Sequence, residues 1–355
     1  MAMFNNFTPH MVEARWSRKY GWQRAELTSH SALNLAPSAM VLHYGQAIFE
    51  GLKAYPRADG SGSMFRLCRC AARFNRSAAR MAMPVMPEDS FIEACELLVR
   101  ADIEQVPTAP GNSLYLRPFM IATEASIELR ASDEFLFGII AAPFSMSATS
   151  MSGIGVWCPE NHIRAAVGGT GEAKCAGNYA GSFIGKAEAI RHGCHEVLWL
   201  DAVERRWVEE LSGMNLFCVS RSPDGTIELA TPPLAGTILD GHTRNSLLRL
   251  AARCGVRTAE RPVELAEITH PDRSVIELFA CGTAVTVLPI TRVVTVRGCH
   301  QIADGRPGSL TRQLRGELIA IQEGRAPDEF GWMHDVHPVA SDTAAPPSAH
   351  RHAVG

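Results

Sequence analysis

The stretch "GGTGEAKCAGNY" (168–179) sets one lysine, Lys174, among four glycines and two alanines. Glycine costs backbone entropy wherever a turn does not need it. So dense a cluster implies that something approaches the backbone closely around a single amine. A Walker phosphate loop requires glycine directly before the lysine and serine or threonine directly after it. Here Ala173 precedes and Cys175 follows, and the upstream "RAAV" is a weak nucleating strand. On these residues alone, a glycine-rich turn with a solvated lysine stays open beside a reactive amine.

The rest of the chain narrows the classes. Its 355 residues suffice for two cores, and 46% hydrophobic residues with a formal charge of −3 are an ordinary soluble balance. No basic surplus suits a nucleic acid. No apolar run approaches the roughly 18 residues of a membrane span. The start "MAMFNNFTPHMVEARW" lacks the charged-then-apolar order of a signal peptide. Ten cysteines are scattered, and Cys68 and Cys70, two apart, suit neither a disulfide nor zinc. The 13 histidines show no ligand spacing. Reduced thiols, a cytoplasmic location and no metal are expected.

Patterning predicts the elements. "SFIEACELLVRADIEQVP" opens with a capping box, Ser90 and Glu93, and "CRCAARFNRSAARMAMP" is a second helix. "SLYLRPFMIATEA" and "EFLFGIIAAP" are strands. Residues 144–153, "FSMSATSMSG", are small and polar and serve as the linker. After it, "NYAGSFIGKAEAIRHG" is a helix closed by Gly193, and short strands follow, mostly antiparallel. The division is a smaller α/β part (1–143), a linker (144–153), a larger part of mostly antiparallel strands with helices (154–336) and a disordered tail (337–355).

Six stretches occur in order: "HYGQAIFEGLKAY" (43–55), "LYLRPFMIATE" (114–124), "KCAGNYA" (174–180), "VEELSGMNLF" (208–217), "TPPLAGTILDGHTRNSLL" (231–248) and "ELFACGTA" (277–284). Together they resemble the branched-chain amino acid aminotransferases, in their bacterial form, over about Met11 to Val336. The resemblance implies an α+β, two-domain enzyme of fold type IV that uses pyridoxal 5'-phosphate (PLP). It implies transamination between an L-amino acid and 2-oxoglutarate in ping-pong half-reactions, with Lys174 holding the cofactor aldehyde as a Schiff base. Lysine suits that role because a desolvated amine is nucleophilic and its pKa moves readily.

By the same resemblance Glu210 partners the pyridine nitrogen, while Glu209 faces the other side of its strand. Tyr179 bonds the cofactor's phenolic oxygen, and Leu239 packs under the ring. The phosphate falls to Arg73, to main-chain donors at His242 and Thr243, and to Thr283, at a helix start that favours anions. Arg73 shares a basic helix face with Arg69, Arg76 and Arg80. Substrate contacts fall to Tyr44, Phe49, Tyr115 and Arg117, with the Thr283 and Ala284 amides and Tyr44 on the α-carboxylate. Some of these residues come from a partner subunit, so a homodimer is implied.

The pattern is departed from in places. Gly213 stands where some relatives carry threonine, and "VTVL" (285–288) replaces a Cys-x-x-Cys pair of animal relatives. The linker lacks the family's aromatic, glycine-rich loop. Phe144, Met146, Met151 and serines 145, 147, 150 and 152 stand there instead, which suggests a mobile cover and a broader or shifted side-chain preference. Alternatives are the same chemistry on an unusual amino acid, a D-amino acid aminotransferase or aminodeoxychorismate lyase relative, or a protein without PLP.

Overall fold

The structure is a computed structural model that describes residues 6–146, 152–270 and 274–337. Two nine-stranded sheets organise it. In the first, the path runs Met333–Val336, Gly62–Phe65, Leu52–Pro56, Asn112–Ala122, Glu134–Ser145, His10–Ser17 and Gly21–Trp22. Glu26–Ser29 and Ala47–Phe49 attach beside this path, and every ladder is antiparallel. Helices Leu67–Arg80 and Glu88–Asp102 bury Phe74 and Phe91 against Phe137 of the sheet.

The second sheet is mixed. Ile154–Trp157 pairs in parallel with both Glu196–Leu200 and Thr286–Thr295, and Ile227–Thr231 with Arg257–Glu260. Its other ladders are antiparallel, as the short connections imply. Val208–Leu211 meets Asn215–Arg221 through the pair Glu210–Asn215, which closes six strands into a ring. Leu198, Leu211, Leu216, Ala280 and Ile290 fill one cluster, and helices His242–Arg253 and Ser309–Gln322 pack on Phe217 and Phe279 in another. Tyr55 and Phe65 of the first sheet join that second cluster, so apolar burial welds the halves.

Several expectations change. The helix expected from Ser90 begins at Glu88 after Pro87, so Ser90 and Glu93 lie inside it and form no capping box at its start. "NYAGSFIGKAEAIRHG" is two helices, Ala176–Ala180 and Phe183–Arg191, broken at Gly181–Ser182. Gly193 does close the second with φ +65°. Strand Glu134–Ser145 runs into the expected linker, so Phe144 is a buried strand residue. Ser147, Ser150 and Met151, and the expected tail beyond His337, lie outside the described residues.

Helix Ser309–Gln322 is started by a strand. Glu277 accepts hydrogen bonds from the Leu310 and Thr311 amides (3.0 and 2.8 Å) and from the Thr311 hydroxyl (2.7 Å). A side chain at Gly308 would collide with that carboxylate. We expect Glu277→Ala to cost at least about 2 kcal/mol, because charged hydrogen bonds to orphan helix amides are lost. Urea unfolding followed by tryptophan fluorescence measures this, and an unchanged midpoint would contradict it.

Candidate active site

Lys174 is held by the first half of the molecule. Its amide donates to Ser77 Oγ (2.9 Å), and its carbonyl accepts from Phe49 N (3.0 Å). Cys175 extends this as a bridge to Ile48. The backbone is thus tied to helix and strand while the side chain is left to its surroundings. Its Nζ donates to Tyr179 OH at 2.9 Å, and the Phe49 ring centre lies 4.9 Å away. Phe49 and Tyr179 are in ring contact at 4.8 Å.

The glycines have more than one role. Gly168 occupies a left-handed turn at φ +80° that disfavours other residues. At Gly171 an added Cβ would lie 2.7 Å from Ala165 Cβ and 2.5 Å from Thr237 O. That close approach is made by the protein's own backbone. Gly177 faces open space.

Lys174, Tyr179, Arg73, Glu210, Leu239, His242, Thr243 and Thr283, the residues expected to hold a cofactor, all line one cavity. Glu210 marks one wall. Arg164 pairs with its Oε1 at 2.7 Å, with both side chains 4% exposed. Asn215 Nδ2 donates to Oε2 (2.9 Å), and Leu239 N donates to Oε1 (3.3 Å). Burial pushes this carboxyl up to about 7, and Arg164 and the Leu239 amide oppose the rise. Glu209 is also buried but does not line the cavity.

Another wall is the start of helix His242–Arg253. The first i to i−4 bond runs from Asn245 N to Gly241 O, which leaves the amides of residues 242–244 without intrahelical partners. Arg73 approaches them without being free. Its Nε and Nη2 grip Glu50 (2.7 and 2.8 Å), and Nη1 donates to the Asp240 carbonyl (2.9 Å). Three of its five N–H donors are therefore engaged. The rest of the basic face is turned to two loops: Arg69 and Arg76 reach Asp240 (2.8 and 3.3 Å), and Arg80 binds the Gly168 and Gly169 carbonyls of the loop that carries Lys174. Burial, and then the field of Arg73, Arg69, Arg66 and Lys174, push the His242 imidazole well below its usual range. Glu50, Cys70 and His242 lie close enough to share a metal ion. That same field repels a cation, and Arg73 occupies both Glu50 oxygens.

The substrate residues divide. Arg117 lies 4.7 Å from the Phe49 ring centre and donates to Tyr115 OH (3.0 Å); both line a separate cavity with Phe7. Ala284 turns its carbonyl to Lys53 (2.7 Å). Tyr44 lines neither cavity: it is 41% exposed, and its hydroxyl donates to the Ile127 carbonyl. Sequence reasoning misses Arg164, Asn215, Glu50 and Asp240. Glu50 stands inside the quoted "IFEG", but nothing local marks "NHIRAAV" as the source of a buried arginine.

A lysine amine against a phenol, a buried carboxylate with its own arginine and an unpaired helix start thus face one cavity. Comparison with known proteins gives the family. The class IV amino-transferase profile matches residues 47–293. A probable branched-chain-amino-acid aminotransferase of Streptomyces coelicolor is 44% identical over 333 residues, 93% of this chain and 91% of that protein. The branched-chain-amino-acid aminotransferase of Mycolicibacterium smegmatis is 45% identical over 331 residues, 92% and 90% of the two chains. Among solved structures, that of the Escherichia coli branched-chain amino acid aminotransferase superposes with a TM-score of 0.73 at 26% identity, covering 91% of this chain and 99% of that one. A T.th. branched-chain amino acid aminotransferase complexed with N-(5'-phosphopyridoxyl)-L-glutamate gives 0.72 at 26%, covering 90% and 97%. The chain belongs to the class IV aminotransferases and is an aminotransferase of the bacterial branched-chain type, with their two-domain α+β fold.

The raised Glu210 carboxyl has a consequence for stability. Its folded value of about 7 exceeds the unfolded value near 4.3, so the native state binds the proton more tightly. This contribution is full at low pH and is lost as pH rises through about 7. In cofactor-free protein, Glu210→Gln should flatten the fall in stability between about pH 5 and about pH 8. Urea unfolding at both pH values tests it, and equal slopes in the two proteins would refute it.

Proposed function

We propose that this chain moves the amino group of an L-branched-chain amino acid to 2-oxoglutarate, with pyridoxal 5'-phosphate held by Lys174. The observation that carries the reading is the cavity itself. It sets the Lys174 amine between Tyr179 and Phe49, with the anchored Glu210 carboxylate on one wall and the open helix start on another. That donor set fits the cofactor. When bound, PLP supplies an aldehyde for amines and a conjugated ring that accepts the electrons left when the substrate Cα loses its proton.

The protein supplies position and charge. Lys174 would hold the aldehyde, and its free amine would carry the substrate Cα proton at Nζ. Tyr179 orients that amine. Glu210, whose rise on burial Arg164 opposes, would support positive charge on the ring nitrogen. Leu239 packs against the ring. The phosphate takes the free amides of His242 and Thr243, the Thr243 and Thr283 hydroxyls, and the two remaining Arg73 donors. For substrate, Phe49 and Tyr115 offer apolar walls, and Arg117 suits the second carboxylate of glutamate. The Thr283 and Ala284 amides take the α-carboxylate.

Tyr44 completes the site of a partner subunit, which makes the enzyme a homodimer. Its exposure and its absence from its own chain's cavity support this. A junction between two domains, at the expected 144–153 less the two residues that strand Glu134–Ser145 claims, and a cytoplasmic location complete the reading. All ten cysteines are free thiols, as a reducing compartment requires.

Lys174→Ala should abolish turnover, and borohydride treatment of that variant with cofactor should label no lysine at this site. A labelled lysine elsewhere would reassign the anchor. Glu210→Gln should slow turnover by about tenfold or more, as loss of a charge-assisted bond predicts, while Glu209→Gln changes little. The reverse ranking would show that the wrong carboxylate was chosen. A kcat/KM panel of aliphatic, aromatic and polar amino acids tests the substrate. Preference for leucine, isoleucine and valine supports the reading, and a preference outside them assigns the same chemistry to another side chain.

A further inference from the structure

Lys53 is a lysine with almost no access to water. It lies in strand Leu52–Pro56 and is 4% exposed, in the first half of the molecule. Its ammonium nevertheless reaches into the second half. Nζ donates to the Ala284 carbonyl at 2.7 Å and lies 4.1 Å from the centre of the Phe144 ring. A buried charge with so few partners is costly unless the bond it makes has a use.

Ala284 belongs to the turn 283–285 between strands Val275–Gly282 and Thr286–Thr295. This turn stands between two cavities. Thr283 faces the cavity of Lys174 on one side and a smaller one, shared with Gly51, Lys53, Cys70 and His242, on the other. Its two ends are constrained. Before it, a Cβ at Gly282 would lie 3.2 Å from Met214 Cγ and 3.4 Å from Gly213 O. After it, the buried Thr286 adopts φ +61°, which disfavours a β-branched residue. The Lys53 bond is a third restraint, from behind.

We propose that Lys53 is the positioning residue of the substrate carboxylate site: by holding the Ala284 carbonyl it fixes the 283–285 turn, so that the turn's amides and the ammonium's charge together receive the α-carboxylate. This rests on the functional reading above and adds a residue to it. Lys53 acts through the turn and touches no reacting atom.

The charge makes the proposal pH-sensitive. Burial, and then Arg315, bring the Lys53 ammonium down to about 7, with Glu323 opposing. Other titratable groups around the smaller cavity are uncharged near neutrality: burial pushes the Tyr55 phenol and the Cys70 thiol up, and His242 is pushed down. Phe144 and the turn bring no titratable side chain. A bound carboxylate favours charged Lys53, so carboxylate affinity falls as pH rises through about 7.

The test uses holoenzyme of the wild type and of Lys53→Met, Lys53→Gln and Lys53→Arg. It measures kcat and KM for leucine, and competitive inhibition by 4-methylvaleric acid, which has the carboxylate but no amino group. In the Met and Gln variants KM and Ki should rise about tenfold or more while kcat stays within about threefold. Arg should restore most of the affinity. Wild-type Ki should rise between about pH 6 and about pH 9, with no such rise in Lys53→Gln. An unchanged Ki in Lys53→Gln, a loss confined to kcat, or a pH-independent wild-type Ki would overturn the proposal. Should Lys53→Met not fold, the Gln and Arg variants and the wild-type pH profile decide. Wild type that neither transaminates branched substrates nor binds 4-methylvaleric acid would bring down the functional reading instead, and this proposal with it.

Discussion

Two opposite charges buried side by side govern the site. Arg73 and Glu50 have side chains 5% and 0% exposed, joined by two hydrogen bonds. Removing either would strand the other charge away from water, at a cost of about 3–5 kcal/mol. The pair is also an architectural joint. Glu50 lies just beyond the strand that carries Phe49, and Arg73 sits on helix Leu67–Arg80 and grips the Asp240 carbonyl of the other half. The amine, the helix start and the loop between them thus share one rigid reference. Catalysis by preorganised groups depends on that rigidity, since a displaced donor stabilises nothing.

The same logic explains why cationic groups crowd this region without driving one another apart. Arg69 and Arg76 are answered by Asp240, Arg73 by Glu50, and Arg164 by Glu210. The remaining positive character comes from Arg66, which donates to Asn245, from Lys174, and from the helix amides at 242–244. An anionic ligand therefore finds a site whose charges are already in place, and binding needs little rearrangement.

How much of this is legible in the sequence depends on the kind of interaction. Lys174, Tyr179, Glu210 and the helix at His242 sit in contiguous motifs with distinctive composition, and they converge on one cavity. Most helices and strands follow apolar spacing. Arg164 is not legible because a buried arginine looks like any surface arginine until its carboxylate is placed beside it. The capping box at Ser90 and Glu93 fails because a good local signal loses to a helix capped three residues earlier, at Pro87. Tyr44 stands in a motif, but motif order says nothing about which way a side chain faces. The glycine cluster suggests room for a ligand, whereas Gly171 is filled by the protein's own Thr237.

The first sheet is finished by the last described strand. Met333–Val336 pairs with Gly62–Phe65, which is buried throughout and otherwise forms an open edge. During synthesis this edge exists from the time residue 65 leaves the ribosome, but its partner emerges some 270 residues later. At about 5–20 residues per second that is an interval of tens of seconds. An apolar, unpaired edge held so long is a template for pairing with other chains. The nascent protein is therefore exposed to aggregation until residues 333–336 have been made, and truncation before residue 333 would leave it so permanently.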